Sequence, residues 1–278
     1  MYLKKWVLAA ALLFTTGSYA QTVKLALAKG RKYEVTTVNK VNSVASVMGQ
    51  EMENNIDNTT VEQYEVKDTR AQETDMAVTI TKMKVAAQAM GQENNYDSEK
   101  KDNSGPMADA MDKVMGKVKN MTIDASGKII KEDKAEEGGG IPMMMGGGGT
   151  TGDAAIIRNG LVGKELKEGA SWPDSAVTGT DKMKVTTVGI YTVKSIENNI
   201  AVVLFAGTQN TTGVMEQMGQ EMNMTGTSKV NGEIKIDLAT GILLENNSST
   251  DGSMTIEAAG MSIPVTMKSS TVSKIKTL

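Results

Sequence analysis

Apolar residues recur at every second position along much of this chain, and that spacing restricts its fold more than any other feature. Met76, Val78 and Ile80 follow it, and Met83, Val85, Ala87 and Ala89 follow it in the opposite register. Alternate side chains of a strand point to opposite faces. The change of register therefore predicts a bulge near residues 81–82. The same spacing predicts strands at 23–28, 32–39 and 61–67, and then at 184–195, 200–208, 215–229, 233–238, 242–248, 254–258 and 261–276. Val44, Met48, Met52 and Ile56 are spaced to share one strand face. Hairpin turns are expected at 197–199 and 239–241, and Pro264 suits an edge or a bulge.

Two stretches depart from the strand pattern. One helix is expected over 105–118, capped by Ser104 with Pro106 in its first turn. Met107, Met111, Val114, Met115 and Val118 would form its apolar face. A second, short helix is expected at 154–159. Residues 133–153 hold Gly138–Gly140, Met143–Met145 and Gly146–Gly149. Ordering so many glycines costs more entropy than their burial returns, so this stretch reads as a mobile loop. No GK[ST] follows the glycines, so they do not make a phosphate loop.

The string MGQEM occurs at 48–52 and at 218–222, and MGQE at 90–93. Met in and Gln/Glu out is the strand reading of this repeat. It suggests two meanders related by duplication. The expected fold is mainly β: a large curved antiparallel sheet, a half-barrel, of two pseudo-repeated meanders with one amphipathic helix against it. The halves are 21–132 and 154–278, sharing one sheet.

Residues 1–20 read as a signal peptide. Lys4 and Lys5 precede an apolar run from Trp6 to Phe14, and Ser18 and Ala20 fit a cut between Ala20 and Gln21. The run is too short to span a bilayer, which takes about 20 residues. Export to the periplasm or cell surface is expected, with no integral membrane span. Cysteine is absent, so no lipid-anchoring cysteine exists and a packed core must replace disulfides.

Without Lys4 and Lys5, the 30 basic residues fall to 28 against 33 acidic ones, a balance that disfavours nucleic acid. Histidine is absent too, which removes the usual general base and zinc ligand. Carboxylate pairs such as Glu51/Glu53 and Glu136/Glu137 read as solvated charge. No enzyme activity, metal or cofactor is expected. Methionine numbers 21 and aromatics make up only 4%, so Met takes the place of Phe as filler.

The motifs GRKYEV at 30–35, GQENNYDSEK at 91–100, MTIDASGKII at 121–130 and GKELKEGASW at 163–172 resemble a family of uncharacterised exported proteins of Gram-negative bacteria. The resemblance runs over the whole mature chain and implies no activity. The strand–helix–strand order is similar to the LolA-type lipoprotein-carrier fold. There a curved antiparallel sheet forms a half-barrel with helices over its concave face. This chain lacks the aromatic-rich lining such a carrier implies.

Two functional readings follow. In the first, an apolar ligand, an acyl chain or a lipoprotein, lies between sheet and helix against Met107, Met111, Val114, Met115, Val118, Met48 and Met52. The competing account is that the helix only closes a dry core. In the second, the chain is a structural or protein-interaction component of the envelope that meets a protein partner through sheet edges or Met143–Met145. Copper(I) on those three methionines is disfavoured by their adjacency. Asp174, Ser175 and Ala176 resemble an O-glycosylation acceptor, with turn formation after Pro173 as the plainer account.

Overall fold

The computed structural model describes residues 21–89, 92–133, 154–180, 182–217, 220–258 and 260–278. The expected signal peptide and the Gly/Met stretch beyond Asp133, with Met143–Met145, lie outside them. The elements in chain order are β1 (Gln21–Thr22), β2 (Lys32–Val47), β3 (Gln50–Thr69), β4 (Glu73–Ala89), β5 (Gln92–Asp97), α1 (Pro106–Asp112), β6 (Val118–Asp124), β7 (Ile129–Glu132), β8 (Glu165–Leu166), β9 (Ser171–Thr180), β10 (Met183–Glu197), β11 (Ile200–Gln217), β12 (Gln220–Asp237), β13 (Ile242–Ala258) and β14 (Met261–Thr277).

All but β1 and β8 join one antiparallel sheet of 12 strands in the order β7-β6-β4-β3-β2-β14-β13-β12-β11-β10-β9, with β5 beside β4. The sheet is curved and does not close into a barrel. The strands before and after the Gly/Met stretch meet where β14 pairs with β2, from Val265 opposite Ala45 to Thr277 opposite Tyr33. Pro264 sits one residue past the end of that ladder, where β14 has no partner on the β2 side. The bulge in β4 lies where alternation changes register. Lys82 faces Val61 and Ile80 faces Glu62, so Thr81 is the extra residue. Its hydroxyl donates to the Val61 carbonyl at 3.1 Å.

Several expectations about local structure are corrected. The string 48–52 is a turn and not a strand face. Val47 faces Gln50, and Met48 and Gly49 between them have φ of 51° and 81°. Two positive φ values in a two-residue loop match the twist of the flanking strands, and Gly takes one of them freely. Val44 therefore faces away from Met52 and Ile56, because Val44 is opposite Glu53 while Met52 is opposite Ala45. The other copies also fall at connections: Ala89 faces Gln92, and Gln217 faces Gln220. The strand expected at 215–229 is thus two strands, β11 and β12.

The helix is shorter than its apolar spacing suggests. α1 ends at Asp112, Gly105 caps it with no side-chain bond from Ser104, and Gly116 at φ 70° turns the chain away. Gly116 N–H donates to Ile80 O, which draws the next residues into β6. Val118 then begins β6 instead of ending the helix. Residues 154–159 form turns and not a short helix, and 23–28 run irregularly beyond β1.

Two apolar clusters hold the fold. The larger joins Tyr33, Val35, Tyr64 and Val66 to Tyr191, Val193, Val203, Ile234 and Ile236, under a floor made by Val23, Ala154, Ile156, Ile157, Leu161 and Leu166. The smaller packs Ala108 and Met111 of α1 on Met83, Val85 and Tyr96.

Candidate functional site: the uncovered inner face

The sheet has one inner face, the one that bears the larger cluster. Pairing register carries it from strand to strand. The floor crosses this face at one end. Val23 N–H donates to Lys164 O, Gly163 N–H to Val23 O and Leu243 N–H to Ile156 O, at 2.8–2.9 Å. Thus 23–28 and 154–166 are tied to each other and to β13. Beside the floor, Trp172 stacks on Tyr191 with ring centroids 5.6 Å apart, and Tyr191 meets Phe205 at 4.9 Å. Gly189 and Gly207 face each other there, and a Cβ on Gly189 would meet the Phe205 ring at 2.5 Å.

Above the floor, hydroxyl and amide side chains cross the sheet. Asn58, Asn39, Thr271 and Ser248 are successive neighbours across β3, β2, β14 and β13. Thr271 Oγ1 donates to Asn39 Oδ1 at 2.9 Å, and the Thr37 and Ser273 hydroxyls bond at 3.0 Å. Ser248 faces Gly232; two rows nearer the two-residue connections, Ser228, Gln209 and Thr187 add a second polar row to this belt on β12, β11 and β10, with Gln209 Nε2 donating to Thr187 Oγ1 at 3.4 Å.

Beyond the belt, toward the two-residue connections, the inner face turns apolar. One row reads Met52, Ala45, Val265, Met254, Gly226 and ends at Val185 after Thr211; the next holds Val47, Ile263, Ile256 and Met224. Neither apolar cluster includes the methionines, isoleucines and valines of these rows. Most are only half-buried, while Met224, Val185 and Val265 are buried. Apolar faces are ordinarily covered in a folded domain.

Register also shows what this face lacks. Among the described residues, the charged side chains on the sheet's inner face are Glu62, Lys119, Glu132 and Asp174, all beside the floor. The charged pairs higher up, Lys40–Asp57 and Lys268–Asp251, lie on the other face. Glu62 is the unusual one. Burial raises its pKa, partly offset by the Tyr64 hydroxyl, which donates to Glu62 Oε2 at 3.2 Å, and by Lys119. Burial and then the Glu62 charge push the Tyr64 phenol well up, so it stays protonated. Its oxygen accepts from Ala155 N–H at 3.4 Å, which links the floor to the sheet.

Inner-face glycines shape the second half. A Cβ on Gly207 would lie 2.6 Å from Val188 O, and one on Gly226 would lie 2.7 Å from Met254 Cβ. Glycines at such positions let neighbouring strands close up on one side, which curves a sheet. They also strip side-chain bulk from the same face.

The expected ligand-facing residues divide. Met111 is fully buried on the sheet-facing side of α1, and Met107, Val114 and Met115 pack against the same cluster with Ile56 and Ala87. Met52 lies on the apolar inner rows. Met48 is 87% exposed at its turn and Val118 is 60% exposed on β6, so neither joins them. Met224, Met254, Ile256, Ile263 and Val265 of the second half were missed as site residues, although the repeat of MGQEM pointed to their region. The arrangement offers apolar contact. Among the described residues no three acids, histidines or cysteines gather as a metal site, and no helix is long and apolar enough to cross a membrane.

A sequence profile described as a family of unknown function (DUF6263) matches residues 71–137 and 161–243. No curated protein matches at a significant level. Among solved structures, one on lipid–protein interactions in lipovitellin aligns over 90% of this chain with a TM-score of 0.53 and 10% identity. The chain spans about a quarter of that protein's length, 25%. An outer membrane channel from Pseudomonas putida F1 aligns over 92% of this chain and 98% of its own, with a TM-score of 0.24 and 8% identity. The first likeness is one of fold alone.

Proposed function

The chain belongs to the family of unknown function DUF6263, and since that membership brings no activity with it, we propose a function from the inner face: this is an exported, non-catalytic envelope protein that binds an apolar ligand, such as an acyl chain, on the uncovered rows between the polar belt and the two-residue connections, beside α1. One observation carries the reading. Met52, Met254, Ile256 and Ile263 share a face outside both core clusters, where they are only half-buried. Flexible thioethers adapt to acyl chains of varied shape. The fold likeness to a structure concerned with lipid–protein interactions agrees with it. Export rests on residues 1–20, and the lack of catalysis on the missing His and Cys.

The test is native mass spectrometry of protein purified from its own envelope, with organic extraction of the same sample. Co-purifying acyl lipid, lost when Met254→Asp and Ile256→Asp are introduced, is the expected result. A bare mass and a lipid-free extract would sink the proposal.

A second reading has its own observation. Val188 and Ile190 of β10 are 51% and 53% exposed on the opposite face, with Ile190 between Pro173 and Ala206, one strand in from β9, which has no further partner among the described residues. An apolar group beside a free strand edge suits a protein partner. Crosslinking in intact cells from a photoreactive residue at 190 tests it; no crosslinked protein would remove this reading.

A further inference from the structure

We infer that the ligand of the inner face is an acyl lipid with an uncharged polar group, and not an anionic lipid; this rests on the proposed function above and narrows it. The two zones of that face set the requirement. An acyl chain laid along Met254, Ile256 and Val265 places its polar end on the neighbouring belt, where Thr250, Ser228 and Gln209 stand one or two rows away. These side chains are hydroxyls and an amide, and each both donates and accepts hydrogen bonds. They match an ester, a free hydroxyl or an amide.

Among the described residues of the face, a phosphate there would meet no cation. The lysine on the inner face is Lys119, by the floor, and its ammonium is 2.6 Å from Glu132 Oε2 and acts on Glu62. The other charged groups among the described residues of the face, Glu62, Glu132 and Asp174, are acids. Moving a phosphate from water to a half-buried belt without a cation carries a desolvation cost that neutral hydrogen-bonding groups do not fully return. The polarity of the ligand is thus set by exclusion of charge as much as by attraction of the chain.

The experiment compares lipids with identical tails. Mature protein is incubated with radiolabelled dioleoylglycerol or dioleoylphosphatidylglycerol in the same non-ionic micelles, and the bound fraction is separated by size exclusion. Dioleoylglycerol should bind tighter by about tenfold or more, the ratio that ~1.4 kcal/mol of unreturned desolvation produces. The variant Thr250→Lys, which puts a cation on the belt, should cut this preference or reverse it. Equal binding, or a preference for dioleoylphosphatidylglycerol in the unaltered protein, would overturn the inference and leave acyl binding standing. If neither lipid binds, the proposed function itself fails. Should Thr250→Lys not fold, the comparison in the unaltered protein still decides.

Discussion

At the residue scale, Glu62 and Tyr96 show how buried polar groups are held in a fold without disulfides. The Glu62 pKa is raised, chiefly by burial, above its ordinary 4.5. A raised folded value means that this carboxyl favours the native state fully at pH below 4.5 and loses that contribution as the pH climbs through the raised value. Glu62→Gln should therefore flatten the pH dependence of Tm between acid and neutral solution and raise Tm at pH 7; an unchanged profile in thermal scans would show that Glu62 is solvated. Tyr96 is a simpler case. Burial and then Asp112 push its phenol up to about 12, and its hydroxyl donates to Asp112 Oδ1 at 2.7 Å at the end of α1. Tyr96→Phe should cost about 1 kcal/mol, since the acceptor carboxylate is exposed and re-solvates. Urea denaturation with unchanged m-value is the check.

At the scale of single elements, two-residue connections govern the meanders. Met48 occupies a left-handed position with nothing to hold its side chain, at 87% exposure. Asn adopts that backbone more readily and Asn-Gly is the favoured pair. Met48→Asn should raise stability by about 0.5 kcal/mol with no loss of ligand, measured by denaturation and lipid binding together. Gly226 gives the opposite sign. A methyl group there would press on Met254 Cβ at 2.7 Å, so Gly226→Ala should cost roughly 1–3 kcal/mol. These elements also show what the sequence makes legible. The alternation of residues 76–89 foretells the bulge at Thr81, because a switch of register leaves a mark in the pattern. The Met48–Gly49 turn leaves none. Val44, Met48, Met52 and Ile56 keep an even spacing straight through it, and an even spacing across a two-residue turn looks like one continuous strand. Helix length is hidden for a related reason. Val114, Met115 and Val118 fit a helical face by spacing, while Gly116 and the pairing of Val118 with Thr79 end it. Met254 of β13 is visible as a strand residue; that no described element covers it depends on where the floor stops, which no local pattern records.

At the scale of the whole molecule, the seam between β14 and β2 and the shared larger cluster make the two halves interdependent. Tyr33 and Tyr64 of one pack in the same core as Tyr191 and Ile234 of the other. Residues 21–133 and 154–278, expressed as separate chains, should each remain poorly folded and recover the native circular dichroism spectrum only when mixed. A cooperative melt from either fragment alone would contradict this.

The seam also dictates timing. Its side-chain bonds join residues 232 and 236 apart in sequence, whereas the hairpins on both sides of it close between immediate neighbours. Bringing such remote strands together is slow, because loop closure precedes any gain from contact. Each meander can zip up early, but the last register to lock is the central one, once everything from residue 33 to residue 277 has emerged. Until then the rims of β2 and β14 stand bare and sticky. A chain made this way has every reason to meet a chaperone en route, and refolding at high concentration should yield intermolecular β pairing at those two rims before any other.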